Sequence, residues 1–156
     1  WYGDLFGLIE KPILEIKKKQ GLLGKKVSIP LKPFDLSENT KMSDILYANK
    51  ILNGALPIDF KSLRSLLLNR YSRKYYSSCN RNFRITIDTD QSFYKTDKNR
   101  ISLLDKIEDN NTVILELKYE QEYESIANCI TTKFPFRVTK SSKYVDGIQK
   151  VYQIAF

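Results

Sequence analysis

Glu116 and Lys118 stand two residues apart in Thr112-Val113-Ile114-Leu115-Glu116-Leu117-Lys118-Tyr119. The stretch is short and rich in β-branched and apolar residues, so it reads as a strand. Side chains alternate across a strand. Val113, Leu115, Leu117 and Tyr119 therefore share one face, and Ile114, Glu116 and Lys118 share the other. An acid and a base side by side can lie on a solvated sheet surface. They can also line a wet cavity within a barrel.

Two further stretches repeat the pattern. Ile13-Leu14-Glu15-Ile16-Lys17-Lys18-Lys19 sets Glu15, Lys17 and Lys19 against Leu14 and Ile16. Phe83-Arg84-Ile85-Thr86-Ile87-Asp88 sets Arg84, Thr86 and Asp88 against Phe83, Ile85 and Ile87. Three strands with one apolar face and one mixed face suggest a sheet curled around a charged interior. Such an interior suits a polyanion and a metal ion. The plainer alternative for Glu15 and Lys17 is a surface ion pair, worth under ~1 kcal/mol.

The elements that would position these residues are partly visible. Pro12 to Lys19 reads as a strand, Gln20 to Gly24 as a turn and Lys25 to Leu31 as the returning strand of a hairpin. Asp35 to Asn53 contains a helical period through Ile45, Leu46, Ala48, Asn49, Ile51 and Leu52, with Ser43 as N-cap and Gly54 as stop. Asp59 to Leu68 reads as a short helix or a passage into a strand. Asn69 to Tyr76 reads as a basic strand with interleaved tyrosines, and periodicity leaves its inner face open. Gln91 to Asn111 reads as a hydrophilic connection with a short strand or turn near Ile101 to Leu104. Glu120 to Lys133 reads as a helix broken by Phe134-Pro135-Phe136, and a last helix follows Ser141. Trp1 to Lys11 reads as a lead-in.

The chain has 156 residues, the size of one domain or part of one, and a net charge of +8. An anionic partner is expected: nucleic acid, a membrane surface or a phosphate compound. With no His, catalysis by imidazole and zinc sites that need it are excluded. Cys79 and Cys129 match no metal spacing and read as reduced thiols, which points to a cytoplasmic setting. No apolar run approaches the ~18 residues a membrane span needs.

The ordered set Trp1-Tyr2-Gly3, Leu14-Glu15-Ile16-Lys17, Tyr71-Ser72-Arg73, Arg84-Ile85-Thr86-Ile87-Asp88, Ile114-Leu115-Glu116-Leu117-Lys118 and Lys140-Ser141-Ser142-Lys143-Tyr144 resembles the VTC domain. That is the polyphosphate polymerase domain of the vacuolar transporter chaperone family, within the triphosphate tunnel metalloenzymes. The resemblance implies an α+β fold: an antiparallel β-barrel forming a tunnel, with helices packed outside, over residues 1–156. It implies transfer of the γ-phosphate of ATP onto polyphosphate with a divalent metal, Mn²⁺ first and Mg²⁺ as the alternative. In the family an Arg-x-Arg strand precedes Trp-Tyr-Gly, so the N-terminal strands are expected to be missing from this chain.

By the same resemblance, Lys17, Arg73, Arg84 and Glu116 form the catalytic set. Lys17, Lys26, Arg73, Arg84, Lys118, Lys140 and Lys143 bind phosphates. Glu116 holds the metal, with Glu15 as a further candidate. The tunnel reading turns the odd positions of the Arg73 strand inward. Asp88 is expected to pair with a base or cap a turn rather than bind metal. The expected partners are ATP and polyphosphate, with no nucleic acid, no membrane span and an open oligomeric state; the cytosolic face of a membrane is the alternative location. Competing functions are a tunnel triphosphatase, a non-catalytic polyphosphate or inositol-phosphate sensor, and an RNA-binding module using the tyrosine and basic residues of Asn69 to Tyr76.

Overall fold

The computed structural model describes residues 1–20, 23–49, 63–97 and 100–154. They form an α+β chain dominated by sheet. In order, the elements are β1 (Gly7–Ile9), β2 (Ile13–Gln20), β3 (Leu23–Pro30), β4 (Phe34–Leu36), α1 (Met42–Ala48), β5 (Leu67–Ser77), β6 (Phe83–Asp97), β7 (Arg100–Asp109), β8 (Ile114–Tyr119), a 3₁₀ turn (Gln121–Tyr123), α2 (Glu124–Thr131) and α3 (Lys143–Tyr152). The strands form two antiparallel pairs, β1–β4 and the hairpin β2–β3, and a sheet ordered β5–β6–β7 in which β8 also pairs with β6. Among the described residues no closed barrel is traced. The chain divides into two compact units: residues 1–66 with 95–104, and residues 67–94 with 105–156.

In the first unit, Glu15, Lys17, Lys26 and Ser28 fall on one face of the β2–β3 hairpin, because Lys17 pairs with Lys26 and Glu15 with Ser28. Its core gathers Ile9, Leu36, Ile45, Leu46 and Ile101. Trp1 meets Phe34 edge to face, with ring centroids 6.4 Å apart. Asn49 ties the end of α1 to the chain after β3, accepting from Lys32 N at 2.7 Å and donating to the Ile45 carbonyl at 2.7 Å.

The second unit is built on a clean alternation. Thr86 opposes Glu116, Arg84 opposes Lys118 and Asp88 opposes Ile114, so the mixed faces of β6 and β8 coincide as the sequence pattern requires. Behind them lie the apolar residues; Phe83 packs on Tyr119 and Tyr123 with centroids 6.2 and 5.8 Å away. At Asp90 the backbone enters the left-handed region (φ 52°). The alternation slips there, as in a bulge. Both Asp88 and Phe93 then meet α3: Asp88 through Lys143, and Phe93 through Gly147.

α3 is seated closely. Ser142 caps it by accepting from Val145 N. A Cβ on Gly147 would lie 2.5 Å from Phe93 Cδ1 and 2.6 Å from Leu67 Cδ2. Lys150, in its last turn, pairs with Asp109 of β7.

Several expectations are corrected. Gln91 to Asn111 is more than a connection with one short strand: it holds the C-terminal part of β6 from Gln91 onward and all of β7, which takes in the strand expected near Ile101 to Leu104. Its buried polar residues, such as Gln91 and Thr96, disguise it as surface. The lead-in contains β1, and β4 occupies the stretch before α1. Both are three-residue strands, too short to show a period. Lys41, not Ser43, occupies the N-cap of α1, and the Ser43 hydroxyl donates to Asp44 instead. The expected continuation of that helix through Ile51 and Leu52, its stop at Gly54 and the start of the Asp59 segment lie outside the described residues, as do Gly21 and Leu22 of the hairpin turn. Residues 63–66 carry no regular structure, and Leu67 and Leu68 open β5.

Gly147→Ala tests the seating of α3. Helix propensity alone would favour Ala by up to about 1 kcal/mol. Overpacking against Phe93 and Leu67 costs typically about 1–3 kcal/mol. Urea denaturation is expected to show a net loss of stability; a gain would mean that the contact relaxes freely.

Candidate functional site

The exposure of β5 alternates. Tyr71 and Arg73 are half-buried, and Arg70, Ser72 and Lys74 are exposed. Tyr71 and Arg73 therefore lie on the more buried face of β5, while Tyr75, the next odd position, is exposed. Arg73 grips Asp88 of β6 with two parallel bonds, Nε to Oδ1 at 2.6 Å and Nη2 to Oδ2 at 2.7 Å. Lys143, the first residue of α3, reaches Asp88 Oδ2 at 2.5 Å. The Tyr71 ring carries both cations, with Arg73 Cζ 5.0 Å and Lys143 Nζ 4.9 Å from its centroid. Arg73 also lies 5.9 Å from the Tyr75 ring.

Asp88 is only 1% exposed. Burial pushes its carboxyl pKa up, but the hydrogen bonds from Arg73 and Lys143 outweigh burial and hold it below the ordinary carboxylate range. The bond to Asp88 raises the Arg73 guanidinium in turn. A cation at a helix N-terminus opposes the macrodipole. Lys143 tolerates that position because a buried carboxylate faces it.

Beside this cluster, on the same sheet face, stand Arg84, Thr86, Glu116 and Lys118. Lys118 Nζ is 3.3 Å from Glu116 Oε2, and the buried Thr86 hydroxyl donates to the same oxygen at 3.5 Å. Arg84 lies directly across from Lys118 and is exposed. Among the described residues it makes no ion pair. Like charges directly opposed across a strand pair repel. An anion on this face would relieve that repulsion.

Of the other expected site residues, Glu15, Lys17 and Lys26 belong to the first unit and Lys140 to the second. Glu15 is held by Lys26 at 2.8 Å and Lys17 at 3.3 Å, both well exposed, and the Lys26 bond lowers its pKa. Lys140 is exposed in the segment before α3. The sequence alone gives the tyrosines of this strand a role only in the RNA-binding alternative. The spacing Tyr71-x-Arg73-x-Tyr75 was the signal that both rings share the guanidinium's face.

A family model described as the VTC domain matches residues 1–152. The chain belongs to the VTC domain family. Comparisons with curated proteins and with solved structures return no match. In this VTC domain, no cluster of three carboxylate, thiol or imidazole groups occurs among the described residues. Glu116 offers a single, half-exposed carboxylate beside a hydroxyl. That donor set fits a hard cation only if ligand phosphate oxygens complete its shell. Cys79 and Cys129 are free and exposed. No helix among the described residues is long and apolar enough to cross a membrane.

Two outcomes follow for the VTC domain's stability. Removing one partner of a buried pair leaves an uncompensated charge, costing about 3–5 kcal/mol. Arg73→Met is expected to lose that much in urea denaturation, and Lys17→Ala less than about 1 kcal/mol. A small Arg73 effect would mean that Asp88 finds another partner. Because the folded pKa of Asp88 lies below its unfolded value, its contribution is complete above about pH 4 and fades as pH falls through the folded pKa. Below pH 4 the unaltered protein is expected to lose stability more steeply than Asp88→Asn; parallel curves would assign the acid sensitivity to other carboxylates.

Proposed function

We propose that this VTC domain is a polyphosphate polymerase, transferring the γ-phosphate of ATP to the end of a growing polyphosphate chain. The observation that carries the reading is the sheet face that presents Arg73, Arg84 and Lys118, joined by Lys143 from α3, together with one accessible carboxylate, Glu116. Family membership supports it. The reading includes the closed antiparallel tunnel expected for the family as the fold of the whole domain, with Lys17, Lys26 and Lys140 as further phosphate contacts.

In this mechanism the protein supplies position and charge rather than a covalent catalyst. A terminal oxygen of the acceptor phosphate forms a bond to the γ-phosphorus. The bond from that phosphorus to the β–γ bridging oxygen breaks, and ADP leaves. Arg73 offers its remaining N–H groups to phosphate oxygens as a planar donor. Lys143, Lys118 and Arg84 neutralise the neighbouring phosphates and hold donor and acceptor in line. Glu116, with Thr86 beside it, would hold a divalent cation, Mn²⁺ or Mg²⁺, jointly with the phosphates. When bound, that cation supplies charge neutralisation on the transferring group.

The test incubates the full-length protein with ATP and Mn²⁺, resolves products on a gel stained for polyphosphate, and follows ADP and free phosphate. A polymer ladder with matching ADP is expected, falling at least 100-fold in Glu116→Gln. Free phosphate without polymer would identify a triphosphatase. Binding without either product would identify a sensor.

A further inference from the structure

Asp88 is the most deeply buried charged group on the candidate face, and it touches two of the cations assigned to phosphate. It takes two of the five N–H donors of Arg73 and one of the three of Lys143. It does not use up either cation. A ligand anion cannot take its place, because displacement would leave a carboxylate with 1% exposure uncompensated in the interior. The ligand must meet Arg73 and Lys143 on the sides that Asp88 leaves open.

The surroundings restrain the same two cations. Tyr71 lies under both, at 5.0 and 4.9 Å. Gly147 and the Ser142 cap fix the helix from which Lys143 projects. Among the described residues Arg84 and Lys118 have no such buried anchor: both are exposed, and Lys118 pairs there with Glu116 alone, at 3.3 Å.

We propose that Asp88 is a positioning residue for phosphate binding: it orients Arg73 and Lys143, and through Lys143 the first turn of α3, so that both cations meet a phosphate chain as one preformed unit. Asp88 itself does not touch the ligand. Fixing flexible cations in advance removes part of the ordering cost of binding. This inference rests on the phosphate-binding reading above and deepens it.

Charge and positioning predict opposite signs for Asp88→Asn. The substitution removes a negative charge next to the ligand, so charge alone would tighten anion binding. Loss of positioning would weaken it. The experiment is calorimetric titration of the full-length protein with sodium tripolyphosphate at fixed ionic strength. Ala127→Gly, in α2, serves as a control for general destabilisation. Asp88→Asn is expected to bind at least tenfold more weakly, with Ala127→Gly within twofold of the unaltered protein. Equal or tighter binding by Asp88→Asn overturns the proposal.

A second measurement needs no variant and decides the matter if Asp88→Asn fails to fold. The Nε–H resonance of Arg73 should keep its hydrogen-bonded shift and slow exchange when tripolyphosphate saturates the protein. Its collapse to a solvent-exchanging signal would show that the ligand displaces Asp88, and would overturn the proposal. Failure of the unaltered protein to bind tripolyphosphate would instead overturn the phosphate-binding reading, and this inference with it.

Discussion

The buried carboxylate of Asp88 is the constraint on which the second unit depends. An ionised group with 1% exposure persists only when it is paired and hydrogen-bonded. Arg73 supplies that from β5 and Lys143 from α3. One side chain thereby joins two strands and a helix. The arrangement also sets the direction of β5: its odd residues must face Asp88, so Tyr71 and Arg73 turn inward and Arg70 and Lys74 turn out. Close packing at Gly147 then holds the rest of α3 against Phe93 and Leu67.

Around this anchor the charges do not balance. Arg84 and Lys118 oppose each other across β6 and β8, and Glu116 pairs with Lys118. Selection for stability alone would place an acid or a neutral residue in one of these positions. The imbalance makes sense if the missing charge is the ligand's. The proposed metal role of Glu116 is consistent with its half-exposed carboxylate, since a group that shares a cation with phosphate must be reachable from the ligand side.

Much of this was legible in the sequence. Period-two alternation disclosed the mixed faces of β2, β6 and β8, and the turn residues disclosed the β2–β3 hairpin. The partnership of Asp88 with a base was also readable, since it shares a mixed face in a basic chain. The inner face of β5 was not, because both of its faces are half polar; only the contact with Asp88 chooses between them. The long run of β6 and β7 was hidden for two reasons. The left-handed turn at Asp90 breaks the alternation, and the residues buried beyond it include Gln91 and Thr96, which read as surface until their partners are known. Tyr71 as a shared platform required α3 to return to the sheet, a contact that no local pattern records.

On the proposed reading, this face binds a polyanion. The most direct test is the melting temperature of the full-length protein across a tripolyphosphate titration, against sodium sulfate at matched ionic strength. A ligand that binds only the folded state stabilises by RT ln(1 + [L]/Kd), so about 2.7 kcal/mol at a hundredfold excess over Kd. The account predicts a rise in melting temperature at low tripolyphosphate that sulfate does not reproduce and that Arg84→Gln reduces. A rise no larger than that with sulfate, or one unchanged in Arg84→Gln, would contradict it.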